Sequence, residues 1–161
     1  MKLLVFALVA VTAASSSVFA ADPLDALVRP EHATLRTEIA RGSDAASRCD
    51  MDHDFDPAAE KVCIDDAQAR NRQATGSGSE AFDTGLYFRA WTNFYAMARS
   101  TNGGATPMDF GRAQNDEQLY WNHYILARSK LGLRDDAVLS AVNMGGPIKG
   151  MIADEERRSG D

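Results

Sequence analysis

Four acidic side chains at alternating positions are the feature of this sequence best suited to chemistry. They lie in the segment between two cysteines: Asp50, Asp52, Asp54 and Asp56. The same spacing supplies oxygen ligands at the first, third and fifth positions of a helix–loop–helix calcium loop. However, Phe55 stands where that loop needs glycine and Lys61 where it needs a bidentate Glu, which excludes a standard calcium loop. The structure that we expect is a solvated acidic loop in which the fourth acid, Asp56, caps the next helix. The alternative is a weaker cation site formed by Asp50, Asp52 and Asp54.

His53 and Asp54 indicate a second chemistry. Together with Cys49 and Phe55 they resemble the Cys-His-Asp-Phe core of small secreted bacterial phospholipases A2. The resemblance implies that the histidine activates water and that the aspartate holds a calcium ion, which stabilises the oxyanion. It is confined to these residues, its cysteine spacing is longer than in that family, and a helix-opening Asp-Pro follows it. A calcium-dependent hydrolase is therefore an alternative function, and we expect that the protein is not an enzyme.

The amino-terminal residues predict secretion. Lys2 precedes an apolar run from Leu3 to Val11, and small residues lead up to Ala20, which is typical of a signal peptide cleaved after that residue. We therefore expect a periplasmic or secreted protein with a cleaved signal peptide (1–20), a single helical domain (21–153) and a charged, frayed tail (154–161). No later run reaches the ~18 apolar residues of a membrane-spanning helix, so we expect no span after cleavage.

The predicted compartment determines how Cys49 and Cys63, the two cysteines of the chain, are interpreted. In an oxidising compartment such a pair forms a disulfide, and closing this loop contributes roughly 3 kcal/mol of stability. The segment from Glu60 to Cys63, with Cys49 upstream, is also similar to part of a family of periplasmic lysozyme inhibitors. The similarity is short, the spacing of the cysteines differs and the family's downstream tyrosine is missing, so we assign no family.

The charge balance argues against nucleic-acid binding. The formal net charge is −6 at pH 7, and the Lys and Arg residues are scattered among acids. A nucleic-acid surface needs clustered basic residues to neutralise phosphates. No cofactor motif is present, and Ser77 and Ser79 lie in a Gly/Ser connector without the strand that a nucleophile elbow requires. We therefore expect no nucleic-acid partner and no cofactor.

Helix start and stop signals recur along the chain, whereas strand signals are nearly absent, so we predict an all-α fold. It is a small orthogonal or bundle-like domain of about five helices with one disulfide. The five predicted helices are residues 30–41, 57–73, 80–99, 115–131 and 134–144. Gly42, Gly132 and Gly145 are the predicted stops of the first, fourth and fifth helices. The fourth helix is predicted to begin with a capping box formed by Asn115 and Gln118.

Six aromatic side chains lie at helical spacing on the two richest of these helices: Tyr87, Trp91, Tyr95, Tyr120, Trp121 and Tyr124. Rings at this spacing are expected in the core first, but any exposed ring would suit the anchor of a protein interface. His123, Arg89 and Asn93 interrupt the apolar pattern, and we interpret them as an interhelical hydrogen-bond network or as the polar edge of each helix. The alternative is a pocket in which His123 acts as a base.

These observations favour a protein that acts by binding another protein. The acids Asp50, Asp52 and Asp54 would contact a basic cleft, and an exposed aromatic side chain would supply affinity. An inhibitor or immunity protein that neutralises an enzyme or toxin is the most concrete form of this hypothesis. A small-molecule carrier with an aromatic pocket between helices is a further alternative.

Overall fold

The computed structural model describes residues 30–53, 55–100 and 106–160. These residues form six helices and no strand: α1 (Pro30–Asp52), α2 (Pro57–Thr75), α3 (Glu80–Arg99), α4 (Pro107–Leu131), α5 (Asp135–Ala141) and α6 (Pro147–Ser159). The predicted all-α fold and the predicted disulfide between Cys49 and Cys63 are confirmed. The predicted signal peptide (1–20) and Asp54 lie outside the described residues.

The central helix is α3, which packs against both α1 and α4. Its rings interleave with those of α4. Trp91 and Trp121 have ring centroids 4.7 Å apart, and those of Phe88 and Tyr124 are 5.0 Å apart. Because each buried aromatic ring removes a large apolar area from water, the contact between α3 and α4 forms the main part of the hydrophobic core.

Two glycines lie where α1 and α3 cross. A Cβ atom on Gly42 would lie 2.0 Å from the carbonyl oxygen of Phe82, and one on Gly85 would lie 1.8 Å from the carbonyl oxygen of Ile39. The two backbones can approach this closely because neither glycine carries a side chain. The predicted end of the first helix at Gly42 is therefore wrong. The helix continues to Asp52, because this glycine serves close packing and not termination.

The predicted start of the fourth helix at Asn115 is also wrong, because α4 begins at Pro107. Thr106 Oγ1 accepts a hydrogen bond from the Asp109 backbone N–H at 3.3 Å, and the Asp109 carboxylate accepts one from the Thr106 N–H at 2.9 Å. This reciprocal capping box, followed by proline at the first helical position, specifies the start. The predicted stop at Gly132 is confirmed, with a left-handed φ of 64°.

The carboxyl-terminal segment is helical. The fifth helix is shorter than predicted, and α6 follows Gly146. Residues 154–159, which we expected to fray, continue α6, and Glu155 is buried. The guanidinium group of Arg158 contacts both Glu155 and Glu117, a residue of α4. These contacts join α6 to α4 and hold a segment whose composition alone indicates a solvated tail.

Candidate functional site

The disulfide joins the end of α1 to the start of α2. We call the residues between the two cysteines, 50–53 and 55–62, the clamped corner. Asp56 caps α2 by accepting hydrogen bonds from the Ala58 and Ala59 backbone N–H groups at 3.1 and 3.0 Å, which confirms its predicted role. The bond and the cap together fix how the chain passes from one helix to the next.

Asp50 and Asp52 belong to the last turn of α1, so the prediction that they lie in a loop is wrong. Their carboxylates lie at the negative end of the helix macrodipole, where acidic side chains are unfavourable. The turn itself contains no basic residue. Burial lowers the pKa of the Arg89 guanidinium on α3, and the nearby Asp50 carboxylate opposes that shift. The clamped corner therefore concentrates negative charge.

Exposed apolar side chains lie in the same corner. Met51 is 71% exposed, Val62 61% and Phe55 38%. Phe55 also has a φ of 59°, a left-handed conformation that bulky residues rarely adopt. Backbone strain of this kind costs on the order of 1–3 kcal/mol and clusters at functional sites. Negative charge, exposed apolar surface and a strained backbone therefore coincide in the clamped corner.

The alternative cation site and the alternative hydrolytic site both depend on Asp54, which lies outside the described residues. His53 is half-buried, and its backbone N–H donates to the Cys49 carbonyl oxygen at 3.1 Å. Among the residues that the structure describes, no three His, Cys, Asp or Glu side chains come together as a group that could hold a metal ion. Both sites stay alternatives.

Most of the predicted aromatic anchors are in the core. The buried ones are Tyr87, Trp91, Tyr120, Trp121 and Tyr124. This is the core position that we expected first for rings at this spacing, and the rings of α3 and α4 pack on one another. Tyr95 is half-buried, and the Arg99 guanidinium lies 3.5 Å from its ring centroid.

Polar residues of α3 form the predicted interhelical hydrogen-bond network. Asn93 Nδ2 donates to Glu60 Oε1 of α2 at 2.9 Å, and Arg89 Nε donates to Ser43 Oγ of α1 at 3.4 Å. His123 has a different environment. Its ring stacks on the Tyr87 ring, with centroids 4.9 Å apart and an interplanar angle of 26°.

A cleft of about 350 Å³ opens between α2, α3 and α4, beside these stacked rings. The buried residues Asp83 and Tyr87 of α3 line it, together with His123 and Lys130 of α4 and Arg72 of α2. His123 therefore lines a cleft, and its role as a base stays an alternative. Asp83 is not among the predicted site residues. A sequence signal does mark Asp83: it is an acidic residue one helical turn before the aromatic Tyr87, within an otherwise apolar stretch.

Comparisons of this chain with protein-family models, with curated proteins and with solved structures find no match. The class of protein is therefore defined by the fold itself, a six-helix, all-α domain in its described part, closed by one disulfide. Within residues 30–53, 55–100 and 106–160, no helix has both the length and the apolar character that crossing a membrane requires.

Proposed function

We propose that this protein acts by binding another protein through the clamped corner, and that it thereby inhibits or neutralises an enzyme or toxin. The observation that carries the proposal is Phe55, which is strained and partly exposed beside the acidic end of α1. A partner with a basic, partly apolar groove would complement both features. Binding would take place in the periplasm or outside the cell, where a disulfide persists.

The charge of the corner favours a basic partner. The Asp52 side chain is exposed in the last turn of a 23-residue helix, so the negative end of the macrodipole adds to its field. This arrangement weakens the free helix, and local features that oppose stability are most often found where a protein functions. A positive groove would relieve the repulsion on binding, so complex formation should be faster at low salt.

The rigidity of the corner also favours binding. Met51 lies two residues after Cys49, and Val62 directly precedes Cys63, so the disulfide holds the segments that carry both apolar side chains. A surface that already has its bound conformation loses less conformational entropy on association. The partner can therefore bury these side chains without first ordering the backbone beneath them.

Substitutions in the corner test this proposal. Phe55→Ser removes the strained ring, and the double variant Met51→Ser/Val62→Ser removes the two most exposed apolar side chains of the corner. Affinity capture from native envelope or culture fluid should return a stoichiometric partner with the wild-type protein. Both variants should lose that partner, because removal of an interface anchor costs about 2 kcal/mol or more.

The matched control is Met108→Ser. Met108 is 65% exposed but lies on α4, outside the clamped corner, so this variant should retain the partner. Capture of the same partner by Phe55→Ser and by the wild type would contradict the proposal. So would a failure of the wild-type protein to capture any stoichiometric partner.

A further inference from the structure

Asp83 forms a buried, acidic floor in the cleft between α2, α3 and α4. It is 8% exposed, and its Oδ2 accepts a hydrogen bond from Gln68 Nε2 at 3.2 Å. Its Oδ1 is also buried, and it has no hydrogen-bond partner among the described residues. Leaving a buried acceptor without a donor costs about 1–3 kcal/mol, and more for a charged group. Folded proteins contain few such atoms, and a functional role of the group is one explanation for them.

One wall of the cleft is aromatic. Tyr87 lies one turn after Asp83 on α3, and its ring stacks on His123 of α4. Both side chains line the cleft, so an apolar or planar group inside it can lie against them, and a cation near the Tyr87 ring is attracted by the electrons of that ring. Burial, and then the charge of Asp83, raise the pKa of the Tyr87 hydroxyl, so it is neutral at physiological pH.

Three of the other charged residues that line the cleft, Asp65, Glu80 and Lys130, take part in ion pairs. Lys130 Nζ donates to Glu80 Oε1 at 2.9 Å, and Lys61 Nζ donates to Asp65 Oδ2 at 2.5 Å. Neither pair supplies a donor to Asp83. Burial raises the pKa of Asp83, and the Gln68 hydrogen bond and the Arg72 charge oppose that rise only in part. The floor of the cleft is therefore suited to a ligand that brings both a positive charge and a hydrogen-bond donor.

We propose that this cleft binds a small primary amine, whose ammonium group donates a hydrogen bond to Asp83 Oδ1 and whose carbon skeleton lies against Tyr87 and His123. A primary ammonium carries the required charge and has three N–H donors. The Asp83 carboxylate would repel an anion, and a quaternary ammonium has no N–H group. The cleft volume, about 350 Å³, falls at the lower end of the roughly 300–1,000 Å³ range of ligand pockets, so the ligand is metabolite-sized.

Benzylamine is a suitable probe, because it joins a primary ammonium to a planar ring. In a titration followed by ¹H–¹⁵N NMR, it should shift resonances of Asp83, Tyr87 and His123 and leave those of the clamped corner unchanged. Benzyltrimethylammonium has the same ring and charge without an N–H donor. It should bind about 10- to 100-fold more weakly, as expected for the loss of a hydrogen bond to a charged group. The proposal would be overturned if the two compounds bound with equal affinity, or if millimolar benzylamine shifted none of these resonances.

Asp83→Asn removes the charge with little change in shape and should weaken benzylamine binding by a similar factor. Asp66→Asn is the matched control, because Asp66 is exposed on α2 and does not line the cleft. If Asp83→Asn does not fold, Leu126→Arg is the variant to test in its place. This lining residue is exposed, so an arginine there adds a competing cation and leaves the floor intact. Wild-type affinity in a folded Asp83→Asn or in Leu126→Arg would refute the assignment. No residue of the clamped corner lines the cleft, so this site and the proposed protein partner can fail separately.

Discussion

Glu117 and Glu155 share the guanidinium group of Arg158. Arg158 Nη2 donates to Glu117 Oε1 at 3.0 Å and also contacts the Glu155 carboxylate, while Arg99 Nη1 donates to Glu117 Oε2 at 2.7 Å. Both acids are buried, and Glu155 is only 1% exposed. These groups connect α6 to α3 and α4, so the attachment of the last helix depends on the charge states of two neighbouring carboxyl groups.

This pair should make stability depend on pH. Burial, and then the charge of Glu117, raise the pKa of Glu155 above its ordinary value of 4.5. The folded state therefore binds the proton more tightly than the unfolded chain does. The stabilising contribution of protonated Glu155 is complete below pH 4.5 and is lost as the pH rises through the folded-state pKa. Glu155→Gln stays neutral, so its free energy of unfolding, relative to that of the wild type, should increase toward neutral pH.

Urea unfolding at a series of pH values from acidic to neutral would measure this difference. Glu156→Gln is the matched control, since Glu156 is the adjacent residue of α6 but is not buried with the pair. Its curve should run parallel to that of the wild type. Parallel curves for Glu155→Gln and the wild type would contradict the prediction.

Gly85→Ala and Gly111→Ala should change stability in opposite directions. An added methyl group on Gly85 meets the α1 backbone, which cannot move aside as a side chain can, so we expect a loss of about 1–3 kcal/mol or more. Gly111 lies in α4, and an added Cβ there has nothing within 4 Å. Alanine at that position should therefore stabilise the helix by about 0.5–1 kcal/mol. Equal effects in chemical unfolding would show that α1 and α3 do not cross this closely.

The double variant Cys49→Ala/Cys63→Ala should lose roughly 3 kcal/mol of stability, because the bond constrains a short loop in the unfolded chain. The cysteines are 14 residues apart in sequence. Urea unfolding of the variant and of the reduced wild-type protein should give similar midpoints. A midpoint equal to that of the oxidised wild type would show that the bond does not stabilise the fold.

Thr106→Ala should lower the free energy of unfolding by about 1 kcal/mol, because it removes the side chain that caps α4. Asn115→Ala should change it little or raise it slightly, since this residue is exposed within the helix and alanine is the better helix former. The comparison distinguishes the observed start of α4 from the predicted one. A larger loss from Asn115→Ala would favour the later start.

Helix boundaries with strong local signals could be predicted from the sequence. The Asp56-Pro57 pair predicts the start of α2, and Gly132 predicts the end of α4, both as observed. The predicted limits of α3 coincide with the structure. In these places the deciding interactions, a side-chain cap or a left-handed glycine, lie within a few residues of the boundary.

Features that depend on distant contacts could not be predicted in this way. A glycine that ends a helix and a glycine that admits a neighbouring backbone look alike in sequence, which is why the sequence predicts a helix end at Gly42. The burial of Glu155 depends on Arg158, whose other partner, Glu117, is 41 residues away in the chain. Asp83 likewise becomes the floor of a cleft only when α2 and α4 pack beside α3.

The disulfide closes a covalent ring that contains the whole clamped corner. A single proteolytic cut within residues 50–62 would therefore leave the molecule in one piece. The nicked protein would migrate as an intact chain under non-reducing conditions and as two fragments after reduction. If the partner is a protease, cleavage at the contact surface would not release the two halves of that surface from each other.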